Sequence, residues 1–258
     1  MCVVAKQGDI VSDRKAVLVI AGSDSSGGAG IARDIRVLTE CGVDPLCAIT
    51  AVTAQTNART GNIHHVPPAA IREQITTAFA TRPINAIKIG MLGTAATVEA
   101  VASSLPETAP PLVIDPVLVA SSGGVLLDDE GVEALRQHLL TRTTLFTPNI
   151  PEAAALLNEP AAGDVTTMIE QAQRLLLMGP RAVLLKGGHA DGAEAVDVLV
   201  LSDGDSLILA SSRSSLRKRG TGCAFASAAA AGLANGASIS DACRAAKRYM
   251  VDWFGSPT

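Results

Sequence analysis

The stretch VLVIAGSDSSGGAGI, residues 17–31, runs from a continuous apolar segment through a glycine-rich turn into a helical pattern. Five apolar residues in succession are typical of a strand that is covered on both faces of a sheet. Glycines at the turn allow tight backbone geometry and the close approach of a ligand. A strand, a turn and a helix in this order predict the first unit of an α/β fold.

The same alternation of short apolar runs and longer alanine-rich segments continues along the chain. We expect a mostly parallel central sheet with helices on both faces, because continuous apolar strands need cover on each side. The predicted strands are 17–21, 45–53, 63–66, 86–90, 112–115, 145–147, 182–186, 196–201 and 206–210. The predicted helices are 29–40, 68–81, 95–104, 129–140, 152–157, 166–178, 222–235 and 239–253.

Two places break this alternation. The strands 45–53 and 63–66 follow each other without a helix, which predicts a small β flap at the edge of the sheet. Asp203 and Gly204 separate the strands 196–201 and 206–210, a pattern typical of a hairpin.

Composition limits the size of the fold and the kinds of partner. Of the 258 residues 48% are hydrophobic, so we expect one domain over 16–258 after a polar N-terminal extension over 1–15. The net charge is −4 and aromatic residues make up only 2%, which argues against a nucleic-acid partner. The clustered basic residues, Arg213 and 217–219, fit a small phosphate-rich ligand better.

Cysteine usage and the N-terminal segment indicate a compartment. The five cysteines are odd in number and form no C-x-x-C pair, which argues against a disulfide framework or a structural zinc site. The first apolar run, 16–21, is too short to cross a membrane or to form a signal segment. We therefore expect a cytoplasmic protein without a membrane partner.

A second glycine-rich segment, Arg219-Gly220-Thr221-Gly222-Cys223, precedes an alanine-rich helical stretch. A helix N-terminus carries unsatisfied N–H groups and partial positive charge, so it can hold a phosphate. Cys223 would lie in the first turn, where the pKa of a thiol tends to fall. The alternative is a helix start with a structural cysteine.

The turn after the first strand fits neither G-x-G-x-x-G nor the Walker pattern, which the chain lacks altogether.

Polar residues follow several other predicted strands, at the sheet edge where α/β folds bind ligands. Asp115 ends one strand before a proline, and Lys186 ends another and can act as a point charge on a phosphate. Asn149 and Glu152 lie three residues apart at a helix start, where they either cap the helix or order Mg²⁺. Gln55 can pair with a nitrogen heterocycle, although a surface turn is the simpler interpretation.

Seven segments occur in one order along the chain. They are AGSDSSGGAGI at 21–31, TAQ at 53–55, KIGML at 88–92, IDPV at 114–117, N-x-x-E at 149–152, KGGH at 186–189 and GTGC at 220–223. On these motifs the chain resembles the hydroxymethylpyrimidine/phosphomethylpyrimidine kinases of thiamin biosynthesis, in the ribokinase-like superfamily. The resemblance implies a ribokinase-like fold, a homodimer, and two ATP- and Mg²⁺-dependent phosphorylations. The first would act on 4-amino-5-hydroxymethyl-2-methylpyrimidine and the second on its monophosphate.

The resemblance also implies roles for individual residues. Gln55 would hydrogen-bond the aminopyrimidine, and Lys186 would contact the nucleotide. The substrate pocket would further be walled by Ala29, Asp34, Thr53, Met91 and either Val117 or Leu118. The ATP phosphates would face Asp115, Asn149 and Glu152, with Asp115 and Glu152 as metal ligands. The anion hole would comprise Gly220, Thr221 and Gly222.

Cys223 would stand where most sugar kinases of the superfamily carry an aspartate base, which weakens a sugar-kinase interpretation. A thiolate there would serve the first phosphorylation more than the second, since a phosphate acceptor is already ionised. Arg219 replaces the usual histidine and adds charge near the phosphate site, which would favour the phosphorylated substrate. A pyridoxine/pyridoxal kinase and a catalytically silent ligand-binding homologue remain as alternatives.

Overall fold

The structure, a computed structural model, describes residues 13–56, 60–119, 124–188, 194–214, 216 and 218–255. These residues form one sheet and eight α-helices. The strands are β1 (Ala16–Asp24), β2 (Asp44–Gln55), β3 (Thr60–His65), β4 (Ala86–Ile89), β5 (Leu112–Ile114), β6 (Leu145–Phe146), β7 (Ala182–Lys186), β8 (Glu194–Leu201) and β9 (Ser206–Ser212). The helices are α1 (Gly30–Glu40), α2 (Pro68–Thr81), α3 (Ala95–Ser104), α4 (Asp129–His138), α5 (Ile150–Leu157), α6 (Val165–Leu176), α7 (Thr221–Ala234) and α8 (Ile239–Gly255).

The sheet has the strand order β3-β2-β1-β4-β5-β6-β7-β8-β9. Strands β2, β1, β4, β5, β6 and β7 run parallel, whereas β3, β8 and β9 pair antiparallel with their neighbours. The mostly parallel α/β sheet predicted from the sequence is therefore confirmed. So are both exceptions, since β2 and β3 form an antiparallel edge and β8 and β9 form a hairpin around Asp203 and Gly204.

The core lies in two layers, one on each face of the sheet. Along β1, Val17 and Val19 pack towards α1, α7 and α8, while Leu18 and Ile20 pack towards α2, α3 and α4. All four side chains are fully buried, which explains why the strand reads as one apolar run. In the described part of the chain, no helix is long and apolar enough to span a membrane.

Several helix ends differ from the sequence-based expectation by one or two residues, and two of these differences have a visible cause. The helix predicted over 129–140 ends at His138 and is followed by a short 3-10 turn over Leu140–Arg142, whose carboxyl end is closed by the Thr143 hydroxyl donating to Leu139. Helix α5 starts at Ile150 rather than at 152, because Asn149 serves as its N-terminal cap. His189, Arg217 and residues 1–12 lie outside the described residues.

Candidate active site

The N-terminus of α7 packs against the loop after β1, and glycine makes this approach possible. Gly220 precedes the helix with a φ of 71°, a conformation that side chains rarely adopt. A Cβ at this position would lie 2.4 Å from the Gly28 carbonyl oxygen. The first N–H groups of α7 therefore lie beside the loop from Asp24 to Ala29, at the carboxyl edge of the parallel strands.

A buried ion pair lies directly beneath this helix end. Lys186 Nζ, at the end of β7, donates to Asp115 Oδ1 after β5 at 2.7 Å. A Cβ on Gly222 would lie 2.9 Å from Asp115 Oδ2 and 3.0 Å from Lys186 Nζ, so the helix backbone rests against both charges. Burial alone would lower the pKa of Lys186, but the Asp115 and Glu152 carboxylates raise it, which keeps the ammonium charged.

Asn149 and Glu152 form a reciprocal cap at the start of α5. Asn149 Oδ1 accepts from the Glu152 N–H and Glu152 Oε2 accepts from the Asn149 N–H, both at 2.8 Å. The capping alternative raised by the sequence is thus realised. Glu152 also faces the ion pair: burial raises its pKa, and the Lys186 charge opposes that shift.

Asp115 and Glu152 offer carboxylate oxygens of the kind Mg²⁺ prefers. Within the described residues, no group of three or more histidine, cysteine or acidic side chains could hold a metal ion. A magnesium ion usually binds through one or two carboxylates and completes its shell with water and phosphate oxygens. Two carboxylates near the segment 220–222 at the start of α7, which we call the cradle, therefore fit this ion.

The predicted pocket residues surround the ends of β1 and β2. Gln55 is bound to the loop after β1 through Ser25, whose hydroxyl accepts from the Gln55 N–H at 2.8 Å. Thr53 Oγ1 donates to the Ser23 carbonyl at 3.1 Å and to Gln55 Oε1 at 3.3 Å. Ala29 N donates to Asp24 Oδ2 at 3.0 Å and precedes α1. These contacts place all three predicted residues around one loop.

The apolar side of this region is a small cluster of its own. Met91 packs with Ala51 and Leu126, and the partly buried Ile63 and Val117 complete the group. Val117 has a φ of 39°, a strained conformation for a β-branched residue. Leu118, the alternative to Val117, is buried in the main core. The cluster therefore supports Val117 as the pocket residue of the two.

Asp34 is neither solvated nor on an open surface. Its side chain is fully buried, and it accepts hydrogen bonds from Lys88 Nζ and Ser227 Oγ, each at 2.8 Å. Burial raises the pKa of this carboxyl, and the two donors oppose the shift. Neither Lys88 nor Ser227 was assigned a role from the sequence. The signal for Lys88 was a lysine inside the otherwise apolar strand AIKI.

The expectation that the helix end lowers the pKa of Cys223 is wrong for the free protein. Burial of the thiol raises its pKa to about 11, and the Lys88 charge opposes that shift. The desolvation of a thiolate outweighs the favourable helix end here. Cys223 is therefore a protonated thiol at neutral pH, placed one residue after the glycine that covers the ion pair.

Arg219 bridges three segments around the pocket. One of its Nη atoms donates to Ser26 Oγ at 2.9 Å and to the Thr56 carbonyl at 3.0 Å, and the other lies 3.4 Å from Asp24 Oδ2. Asp24 in turn accepts from Ser26 and Ala29. The guanidinium thus links the cradle to the β1 loop and to the end of β2. The sequence indicated only its charge.

Comparison with known proteins identifies the family to which the chain belongs. A family model described as "Phosphomethylpyrimidine kinase" matches residues 24–254. The chain belongs to this kinase family. It is 40% identical over 235 residues to the hydroxymethylpyrimidine/phosphomethylpyrimidine kinase of Rhizobium meliloti (strain 1021), which covers 90% of this chain and 88% of the relative.

Two solved structures extend the comparison. The phosphomethylpyrimidine kinase of Clostridium difficile 630 superposes with a TM-score of 0.80 and 34% identity, covering 93% of this chain and 99% of that one. An ADP complex of Bacillus subtilis pyridoxal kinase gives a TM-score of 0.84 and 33% identity, with 92% and 90% covered. The ribokinase-like fold expected from the motifs is therefore confirmed.

Proposed function

We propose that the protein transfers the γ-phosphoryl group of ATP to 4-amino-5-hydroxymethyl-2-methylpyrimidine and then to its monophosphate, as a step of thiamin biosynthesis. One observation carries the proposal: the backbone of Gly222, at the start of α7, lies against the Asp115–Lys186 ion pair. Phosphoryl transfer depends mainly on positioning and on charge stabilisation, and this arrangement offers helix N–H groups, a lysine and two carboxylates together.

In the first transfer, the acceptor hydroxyl oxygen attacks the γ-phosphorus while the bond to the bridging oxygen breaks and ADP leaves. The N–H groups at Gly220, Thr221 and Gly222 stabilise the moving phosphoryl group, and Lys186 neutralises charge on the phosphates. Bound Mg²⁺, held at Asp115 and Glu152, would neutralise further phosphate charge. Cys223 orients the acceptor hydroxyl, and the thiolate form of Cys223 accepts the proton of that hydroxyl.

The acceptor pocket would hold the pyrimidine between polar and apolar walls. Gln55 presents an amide to the ring edge, next to Thr53 and Ala29. Met91 and Val117 supply the apolar side. Asp34 is fully buried and accepts from Lys88 and Ser227, so we assign it a supporting place rather than direct contact with the ring. The second transfer uses the same cradle with a phosphate oxygen as the attacking group.

We further propose that residues 16–258 act as one catalytic domain in a cytoplasmic homodimer, without nucleic-acid or membrane partners. The net charge of −4 and the scarcity of aromatic residues support the absence of a nucleic-acid partner. Gel filtration with light scattering would test the dimer.

A vitamin B6 kinase is the second candidate, because the Bacillus subtilis pyridoxal kinase has a TM-score of 0.84 to this fold. Pyridoxal also carries a hydroxymethyl group on a nitrogen heterocycle, and Gln55 would serve either ring. ADP release with Mg-ATP should therefore be measured with hydroxymethylpyrimidine, its monophosphate and pyridoxal, and the products identified by mass spectrometry.

Asp115→Asn provides the inactive control for that assay, since it removes the carboxylate that faces Lys186. Turnover of both pyrimidines by the native protein is the expected result. Turnover of pyridoxal alone would transfer the assignment to vitamin B6 salvage. Absence of turnover with all three acceptors would favour a silent ligand-binding homologue.

A further inference from the structure

Lys88 is a charged residue at a position where the fold requires none. It lies within β4, where its neighbours in register on the adjoining strands are Val19 and Val113. Its side chain is fully buried, and its ammonium donates to Asp34 at 2.8 Å. Burying an ammonium is costly even when it is paired, and an apolar residue of similar volume would fill the site without that cost. The position therefore calls for an explanation beyond packing.

The ammonium is held at the active-site end of the sheet. A Cβ on Gly90 would lie 2.8 Å from Lys88 Nζ, so the side chain extends along the strand towards its carboxyl end. Asp34 accepts from Ser227 of α7 as well as from Lys88. Ser227 lies four residues after Cys223, on the same face of the helix. Lys88 is thus tied through Asp34 to the helix face that carries the thiol.

The charges around Cys223 come from three elements. Asp34 on α1 and Asp115 after β5 both disfavour a thiolate, whereas Lys88 on β4 favours it. Asp115 is already paired with Lys186 at 2.7 Å. Lys88 is itself paired with Asp34 at 2.8 Å, and among the charged groups that act on the sulfur it is the one that favours a thiolate.

We propose that Lys88 is a positioning residue for the first phosphoryl transfer: its buried ammonium, held by Asp34, which also accepts from Ser227, stabilises negative charge on Cys223 and on the attacking oxygen. This inference rests on the proposed function. In the step it serves, the alcohol oxygen forms a bond to the γ-phosphorus, ADP leaves with the electron pair of the broken bond, and the alcohol proton passes to the Cys223 thiolate. The thiol then returns that proton to solvent. The monophosphate acceptor brings an ionised oxygen and needs this charge less.

The test compares Lys88→Met with Lys247→Met. The control removes an ammonium from a second buried pair, since Lys247 Nζ on α8 donates to Asp197 Oδ2 at 2.8 Å. The first readout is the rate of alkylation of Cys223 by iodoacetamide between pH 7 and 11, followed by peptide mass spectrometry with Cys41 as an internal reference. The second readout is kcat with each pyrimidine acceptor.

In Lys88→Met we expect the pH profile of Cys223 alkylation to move upward by about one unit, which lowers the rate at pH 8.5 about tenfold. We expect kcat for hydroxymethylpyrimidine to fall about 10- to 100-fold, with less than a threefold loss for the monophosphate. Lys247→Met should leave the Cys223 profile unchanged. Because alkylation needs no substrate, its shift would persist even if the proposed acceptors proved wrong.

An unchanged Cys223 profile in folded Lys88→Met would overturn the proposal, and so would an equal shift in Lys247→Met. Equal losses of kcat with the two acceptors would contradict the assignment to the first transfer. If circular dichroism shows that Lys88→Met does not fold, Ser227→Ala takes its place. That variant keeps the Lys88–Asp34 pair but removes its link to α7, and we expect the same shift at smaller size. No shift there would count against the proposal.

Discussion

Replacing Gly220 with alanine places a methyl group where α7 meets the loop after β1. The new Cβ would lie 2.4 Å from the Gly28 carbonyl oxygen and 3.1 Å from the Ala29 Cα, about 1 Å short of ordinary contact in the first case. Both neighbours are backbone atoms, so the helix end or the loop must move. Alanine also adopts the left-handed conformation at a cost of about 1–2 kcal/mol.

A displacement of this size falls on the groups that position the phosphoryl group. Misplacing a catalytic constellation by about 1 Å costs on the order of 100-fold in rate. We therefore expect kcat/KM to fall about 100-fold for both pyrimidine acceptors, because both use the same cradle. The melting temperature should fall by about 2–8 °C, from about 1–2 kcal/mol of backbone strain in a chain of this size.

Gly236→Ala is the matched control. Gly236 has a φ of 84°, so an alanine there would bear the same backbone strain as an alanine at position 220. A Cβ at position 236 would, however, have no atom within 4 Å. The two variants should be compared by thermal melting and by coupled ADP-release kinetics at saturating Mg-ATP. We expect both melting temperatures to fall, further in Gly220→Ala because of its backbone clash, and a rate loss confined to that variant. If both variants keep native kcat/KM within a factor of two, the cradle does not act as reasoned.

Cys223→Ala should reduce kcat for hydroxymethylpyrimidine at least tenfold more than for the monophosphate, measured by ADP release; equal losses would sink the assigned role of the thiol. Arg219→His removes the bridge to Ser26, Asp24 and the Thr56 carbonyl, so KM for the acceptors should rise about 3- to 30-fold while the melting temperature stays nearly constant. An unchanged KM would show that the bridge does not shape the pocket. Burial raises the pKa of Cys223 to about 11, above the value of about 8.5 in the unfolded chain. The protonated thiol therefore contributes its full stability to the fold below a pH of about 8.5. This contribution is lost as the pH rises through about 11. Urea unfolding between pH 8 and 11 should show a smaller decline in Cys223→Ala than in the native chain.

The strands and turns of the fold could be predicted from local patterns of apolar and turn-forming residues. The run over 17–21 reads as apolar at every position because Val17 and Val19 face one layer of helices and Leu18 and Ile20 face the other. Turn residues at Asp203 and Gly204 mark the β8–β9 hairpin in the same local way. The ends of the helices were predicted less accurately. The cap at Asn149 depends on a reciprocal contact with Glu152, and the spacing of these residues is compatible both with capping and with Mg²⁺ binding.

The members of the site were also visible as motifs at strand ends, because parallel strands deliver their carboxyl ends to one edge. Their mutual contacts were not. The sequence gives no sign that Lys186 pairs with Asp115, from which it is separated by 71 positions, or that Arg219 reaches Asp24. These partners are chosen by the packing of α7 over the strand ends.

The pKa of Cys223 shows most clearly which properties cannot be predicted from the sequence alone. From the sequence, Cys223 at a helix start predicts a lowered pKa, because the local helix end is all that the sequence shows. Burial in the folded chain reverses that shift, and the Asp34–Lys88 pair whose charges act on the pKa of the thiol comes from α1 and β4. Local patterns thus determined the elements and their order, since backbone preferences and periodicity act over a few residues. Desolvation and long-range charge pairing depend on which elements meet, and only the tertiary structure decided them.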